Sequence, residues 1–99
     1  MEKKVFLMMI KREKNFNKVT KEVIKKHVEN LRILDSEGKI KLCGPLSCYP
    51  GMAGLVIFQT DSYEEAQDLC RQEPLVALGY ATYILAELQL ANKENNYLY

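Results

Sequence analysis

Two short runs, "VFLMMI" at residues 5–10 and "LVIF" at residues 55–58, are apolar at every position. Successive residues of a strand point to opposite faces of a sheet, so a strand with one wet face alternates apolar and polar side chains. Neither run alternates, and both read as strands that must be shielded on two sides. Both are far short of the roughly 20 residues that a membrane-spanning helix needs. The chain must build a sheet and cover it twice, and the rest of the sequence has to supply the covers.

Helices supply one of them. From about Asn17 to Glu37 apolar residues recur three and four apart (Val23, Ile24, Val28, Leu31, Leu34), with Asn17 as the expected N-cap and Gly38 as the stop. Ser62 opens a second helix through "SYEEAQDLC", with the Ser62-x-x-Glu65 spacing of a capping box. Pro74 disfavours helical geometry at Glu73, so this helix breaks there. A short one restarts with Pro74 at its first position and ends near Gly79. "KKVFLMMI", "GKIKLCGP", "GLVIFQTD" and "YATYILAELQLAN" read as strands, and "LSCYPGMAG" as a loop. The tail "KENNYLY" is polar with three apolar anchors, Tyr97, Leu98 and Tyr99.

The order β-α-β-β-α-β predicts one α+β domain over residues 1–99, with a core of about 4–91 and a C-terminal tail at 92–99. Its form is the ferredoxin-like sandwich, an antiparallel four-stranded sheet with both helices on one face. The other face of such a sheet, apolar here as well, should be covered by something. A second copy of the same sheet is the cheapest cover, so a homodimer is expected.

Composition narrows the function classes. At 99 residues, 47% hydrophobic and 27% charged, this is a soluble globular chain. The first apolar run lacks a small-residue cleavage site, which points to the cytoplasm and away from secretion or a membrane. Three cysteines, Cys43, Cys48 and Cys70, form no CxxC pair, and one histidine is too few for a zinc site. Plain thiols, mostly buried, and no metal are expected. GxGxxG, P-loop and HExxH fingerprints are absent, so no cofactor is expected. Residues 1–30 hold nine Lys/Arg against four Glu, and the remainder is acidic. Only Phe16 interleaves those cations with an aromatic ring, so the stretch reads as a solvated face, with no nucleic-acid partner.

His27, the only histidine, lies four residues from both Val23 and Leu31, on the apolar face of its helix. Two readings stay open from the residues alone: a packed histidine bonded to a backbone carbonyl, or a base facing a cleft.

"HVENLRILDSEGKIKLCGPL" followed by "GLVIFQTDSYEEAQDLCRQEPLVALGYATYILAEL" resembles the YciI-like (YCII-related) family of small dimeric α+β barrel proteins. The resemblance covers residues 4 to 90. It implies a ferredoxin-like protomer pairing its sheet with a second copy. It also implies a catalytic pair, a histidine on the first helix and the acid of an Asp-Pro motif, which map here onto His27 and Glu73. Glu replaces Asp, and its extra methylene moves the carboxylate by about an ångström unless the backbone adjusts, a displacement to which catalysis is sensitive. The implied function is cofactor-free general acid/base chemistry on a small anionic or carbonyl-containing molecule: isomerisation, dehydrohalogenation or hydrolysis. The "GPLSCYPG" loop would form the rim, with Ser47, Cys48 and Tyr49 as ligand contacts. The alternative is a non-catalytic ligand-binding or structural homodimer with a vestigial pocket.

Overall fold

The computed structural model describes residues 3–98. Four strands, β1 (Lys4–Arg12), β2 (Ile40–Pro45), β3 (Met52–Thr60) and β4 (Ala81–Leu88), form one sheet in the order β2-β3-β1-β4. Every neighbouring pair is antiparallel. Helix α1 (Lys21–Ser36) connects β1 to β2, and α2 (Tyr63–Gln72) with the short α3 (Pro74–Ala77) connects β3 to β4. This is the ferredoxin-like α+β architecture that the element order predicts. Among the described residues no helix is long and apolar enough to cross a membrane.

The helix-covered face carries the core. Phe6, Met8 and Ile10 of β1 lie beside Val56 and Phe58 of β3, under Val23 and Leu34 of α1 and Ala66, Leu69 and Cys70 of α2. Full burial of side chains such as Phe6, Met8 and Phe58 contributes roughly 2 kcal/mol each. The opposite face is also apolar and has no cover among the described residues. Leu7, Met9, Leu55 and Ile57 there are half-buried, and Leu42, Ile84 and Leu88 are 55%, 45% and 43% exposed.

Several boundaries differ from the sequence reading, each for a local reason. Helix α1 is capped by Thr20, whose side chain accepts the Val23 N–H at 3.2 Å. Asn17 instead belongs to a 3-10 turn (Phe16–Lys18) that packs Phe16 against the core before the helix starts. Strand β3 begins at Met52, inside the expected loop, because the register slips between Ile10 and Lys11 and leaves Ala53 as a bulge. Strand β4 stops at Leu88, well before Asn92. The chain then makes a capped turn in which the side chains of Asn92 and Asn95 each accept the other's backbone N–H. Tyr97 and Leu98 are exposed; Tyr99 lies outside the described residues.

Candidate active site

The site is built from the break between α2 and α3. Because the residue before proline is pushed out of helical geometry, Glu73 takes φ −60°, ψ 125°. It thereby ends one helix and caps the next. Its Oε2 accepts the Leu75 N–H at 2.6 Å, while its own carbonyl accepts the N–H groups of Val76 and Ala77. That capping bond turns the side chain inward, and Glu73 is 1% exposed.

A carboxylate so buried is costly unless its oxygens are paired. The second oxygen, Oε1, meets Nδ1 of His27. His27 stands on α1 one turn after Val23 and one before Leu31, so the packing that holds the helix to the sheet also aims the ring. The extra methylene of Glu73 does not keep the two apart: one oxygen caps α3 and the other reaches the imidazole. An ionised carboxylate only accepts, so with Glu73 ionised Nδ1 is the donor in this bond and Nε2 is the ring nitrogen left over.

His27 lines a cavity of about 260 Å³ between α1 and the β2–β3 side of the sheet. Ile24 and Leu31 of α1, Val56 of β3, Ile10, Phe16 and Leu75 make its walls apolar. Along β2 and β3 the wall is closely set, since a Cβ on Gly54 would come within 3.2 Å of the Gly44 carbonyl oxygen. His27 and Cys43 are the only titratable side chains in the lining. Among the described residues no group of His, Cys, Asp or Glu is arranged to hold a metal ion.

Ser47, Cys48 and Tyr49 are exposed and do not line this cavity. Of the expected rim "GPLSCYPG", Gly44 and Pro45 line the cavity as the end of β2, where Pro45 pairs with Gly54 and Leu46 donates to the Ala53 carbonyl, and the following residues turn outward. Cys43 takes a place in the wall that the sequence reading gave to the loop. A register shift between Ile40 and Leu42 puts it there, and no sequence signal marks that shift. The thiols also correct an expectation: Cys43 and Cys48 are exposed and only Cys70 is buried. Burial, and then the negative charge of Glu73, push the Cys70 thiol up to about 12.

The fold and site together define a small α+β protein with a histidine–carboxylate pair opening on an apolar cleft. The family model of the YCII-related domain matches residues 5–89. The uncharacterized protein YjpA of Bacillus subtilis is 34% identical over 85 residues, 86% of this chain and 94% of that protein. This chain belongs to the YCII-related family. Among solved structures it is similar to 5-chloro-2-hydroxyhydroquinone dehydrochlorinase from Burkholderia phenoliruptrix, solved with 2,5-dihydroxybenzoquinone. That similarity has a TM-score of 0.63 at 17% identity and covers 86% of this chain and 93% of the other; it shows the shared fold.

Cys70 provides a direct check on this packing. Its proton is lost near 9.0 in the unfolded chain but held to about 12 in the folded one. Above pH 9 the unfolded state therefore binds fewer protons, and stability contributed by the neutral thiol falls as pH rises toward 12. Chemical denaturation across that range should show a steeper alkaline loss in wild type than in Cys70→Ala. A thiol reagent should modify Cys43 and Cys48 in the native protein and Cys70 only after unfolding. Rapid modification of a third native thiol would contradict the burial.

Proposed function

We propose that this chain is a cofactor-free enzyme that moves a proton on a small single-ring compound, with His27 as the acid/base and Glu73 as the group that positions it. One observation carries the reading. A fully buried carboxylate is fixed by a backbone N–H through one oxygen and presents the other to the single histidine, which lines an apolar cavity. A histidine hydrogen-bonded to a buried carboxylate beside a cleft is a recurrent arrangement for acid/base chemistry.

The chemistry follows from the bonds. With Nδ1–H donated to Glu73, the lone pair on Nε2 takes a proton from a C–H or O–H of the bound ring. The ring becomes an imidazolium, and the adjacent carboxylate offsets its charge without moving. The electrons released from the substrate form a double bond. Returning the proton to a second substrate atom completes an isomerisation. Expelling an anionic leaving group, which departs with its electron pair, completes an elimination. The likeness in fold to a dehydrochlorinase supports the second outcome as a class of reaction. The cavity's size suits a single ring rather than a drug-sized ligand.

We also propose that two copies pair through the uncovered sheet face. The row of half-buried and exposed apolar residues there supports it, since a patch of that kind is unfavourable in water.

Two experiments test these readings. Wild type, His27→Gln and Glu73→Gln, each shown to be folded, are screened against hydroxylated, carbonyl-bearing and chlorinated single-ring compounds. Both variants should lose about 10²–10⁴-fold in kcat/KM, the usual worth of a positioned acid/base. Full activity in His27→Gln would remove the enzyme reading. Light scattering should give twice the chain mass of 11.4 kDa, and Ile57→Lys, which places a charge in the open face, should halve it. A wild-type monomer would refute the pairing.

A further inference from the structure

The cavity's apolar walls and single imidazole leave open how a substrate is oriented, and Arg12 answers this from just outside. Arg12 follows Ile10 by two residues on β1, so its side chain leaves the sheet on the same, helix-covered face as that cavity-lining residue. The bulge beside Ile10 lies on β3, and the pairing of β1 with β4 runs unbroken to Arg12, which is opposite the buried Ala81. Its backbone is held from both sides. The Arg12 N–H donates to the Gly51 carbonyl at 2.8 Å and the Glu13 N–H to the Tyr80 carbonyl at 3.0 Å. The chain then folds back on itself, Phe16 N–H to Glu13 carbonyl at 3.0 Å, and this turn brings the Phe16 ring under the guanidinium, 5.4 Å from ring centre to guanidinium carbon. Phe16 is itself part of the cavity wall.

Arg12 is exposed and its guanidinium lies over Phe16, a residue of the cavity wall. A guanidinium set over a ring face keeps its edge donors for a second partner. Lys39, Arg32 and Lys3 are paired with carboxylates, and the remaining lysines, like Arg12, form no ion pair among the described residues. What sets Arg12 apart is its place over the Phe16 ring of the cavity wall. A planar fork of this kind matches a planar oxyanion with two parallel hydrogen bonds.

We propose that Arg12 is the substrate-orienting residue of this site, and that the substrates are single-ring compounds carrying a carboxylate or an ionised ring hydroxyl. The ring body fills the apolar cavity, its oxyanion lies on the Arg12 fork, and its reacting edge faces His27 Nε2. The inference rests on reading the cavity as a substrate site.

The test uses two neutral-pH probes of equal shape, benzoate and benzamide, titrated into wild type and Arg12→Gln while the His27 ring resonances are followed by NMR. Wild type should bind benzoate about tenfold or more tightly than benzamide, as a charge-assisted pair implies. Arg12→Gln should bind the two alike, with its benzamide affinity unchanged, and Arg12→Lys should fall between. Added salt should shrink the wild-type preference. Equal affinities in wild type, a preference that survives Arg12→Gln, or a His27 ring indifferent to benzoate would each overturn the assignment. Failure of the catalytic reading looks different. Benzoate held through Arg12 by a protein that turns nothing over leaves the anion site standing without an enzyme. Turnover of an anionic substrate with unchanged KM in Arg12→Gln leaves the enzyme standing without this anion site.

Discussion

The bond between Glu73 and the N–H of Leu75 is the constraint on which the rest of the site depends. It arises from a local backbone rule: proline at position 74 forces Glu73 out of helical geometry, and that same geometry makes it an N-cap. Capping α3 carries the carboxylate under α1, where it is nearly inaccessible to water. A buried carboxylate with one free oxygen needs a donor, and α1 supplies the only histidine in the chain. Helix α1 is in turn held by Val23 and Leu34 against the sheet. Helix break, cap, burial and ring orientation are thus links of one chain, and each is set by ordinary packing and hydrogen bonding.

The sheet meets two demands at once. Its helix-covered side builds a core at the β1 centre but leaves space toward β2, where α1 spans a wall made partly of Gly44 and Gly54. Small residues there let β2 lie close to β3 and keep side chains out of the cavity floor. The other side has the composition of a core without a cover. The same absence of polar alternation in "VFLMMI" and "LVIF" underlies both features.

The element order and the His27–Glu73 encounter were legible because they rest on signals that survive in a single sequence. Helical spacing about His27 defines its face, and the "EP" dipeptide marks a break whose preceding residue is extended. The family pattern supplied the pairing itself, which no spacing argument yields for residues this far apart. The cavity's β wall was not legible. It depends on bulges at Ala53 and near Lys41, which shift side chains between faces without any composition signal. For that reason the "GPLSCYPG" stretch reaches the cavity only through Gly44 and Pro45, joined by Cys43, and not through Ser47, Cys48 and Tyr49. Thr20 lost its capping role to Asn17 in the sequence reading because both are good N-caps, and only the packing of Phe16 distinguishes them.

The central claim is that Glu73 fixes the proton of the neutral His27 ring on Nδ1 and frees Nε2 for chemistry. Nitrogen-15 NMR of the single histidine measures this directly, in wild type and in Glu73→Gln. Wild type should carry the ring proton on Nδ1. In the variant the amide oxygen remains on the Leu75 N–H and the amide N–H₂ donates to Nδ1, so the proton should move to Nε2. A wild-type ring protonated on Nε2, or the same mixture of tautomers in both proteins, would contradict the account.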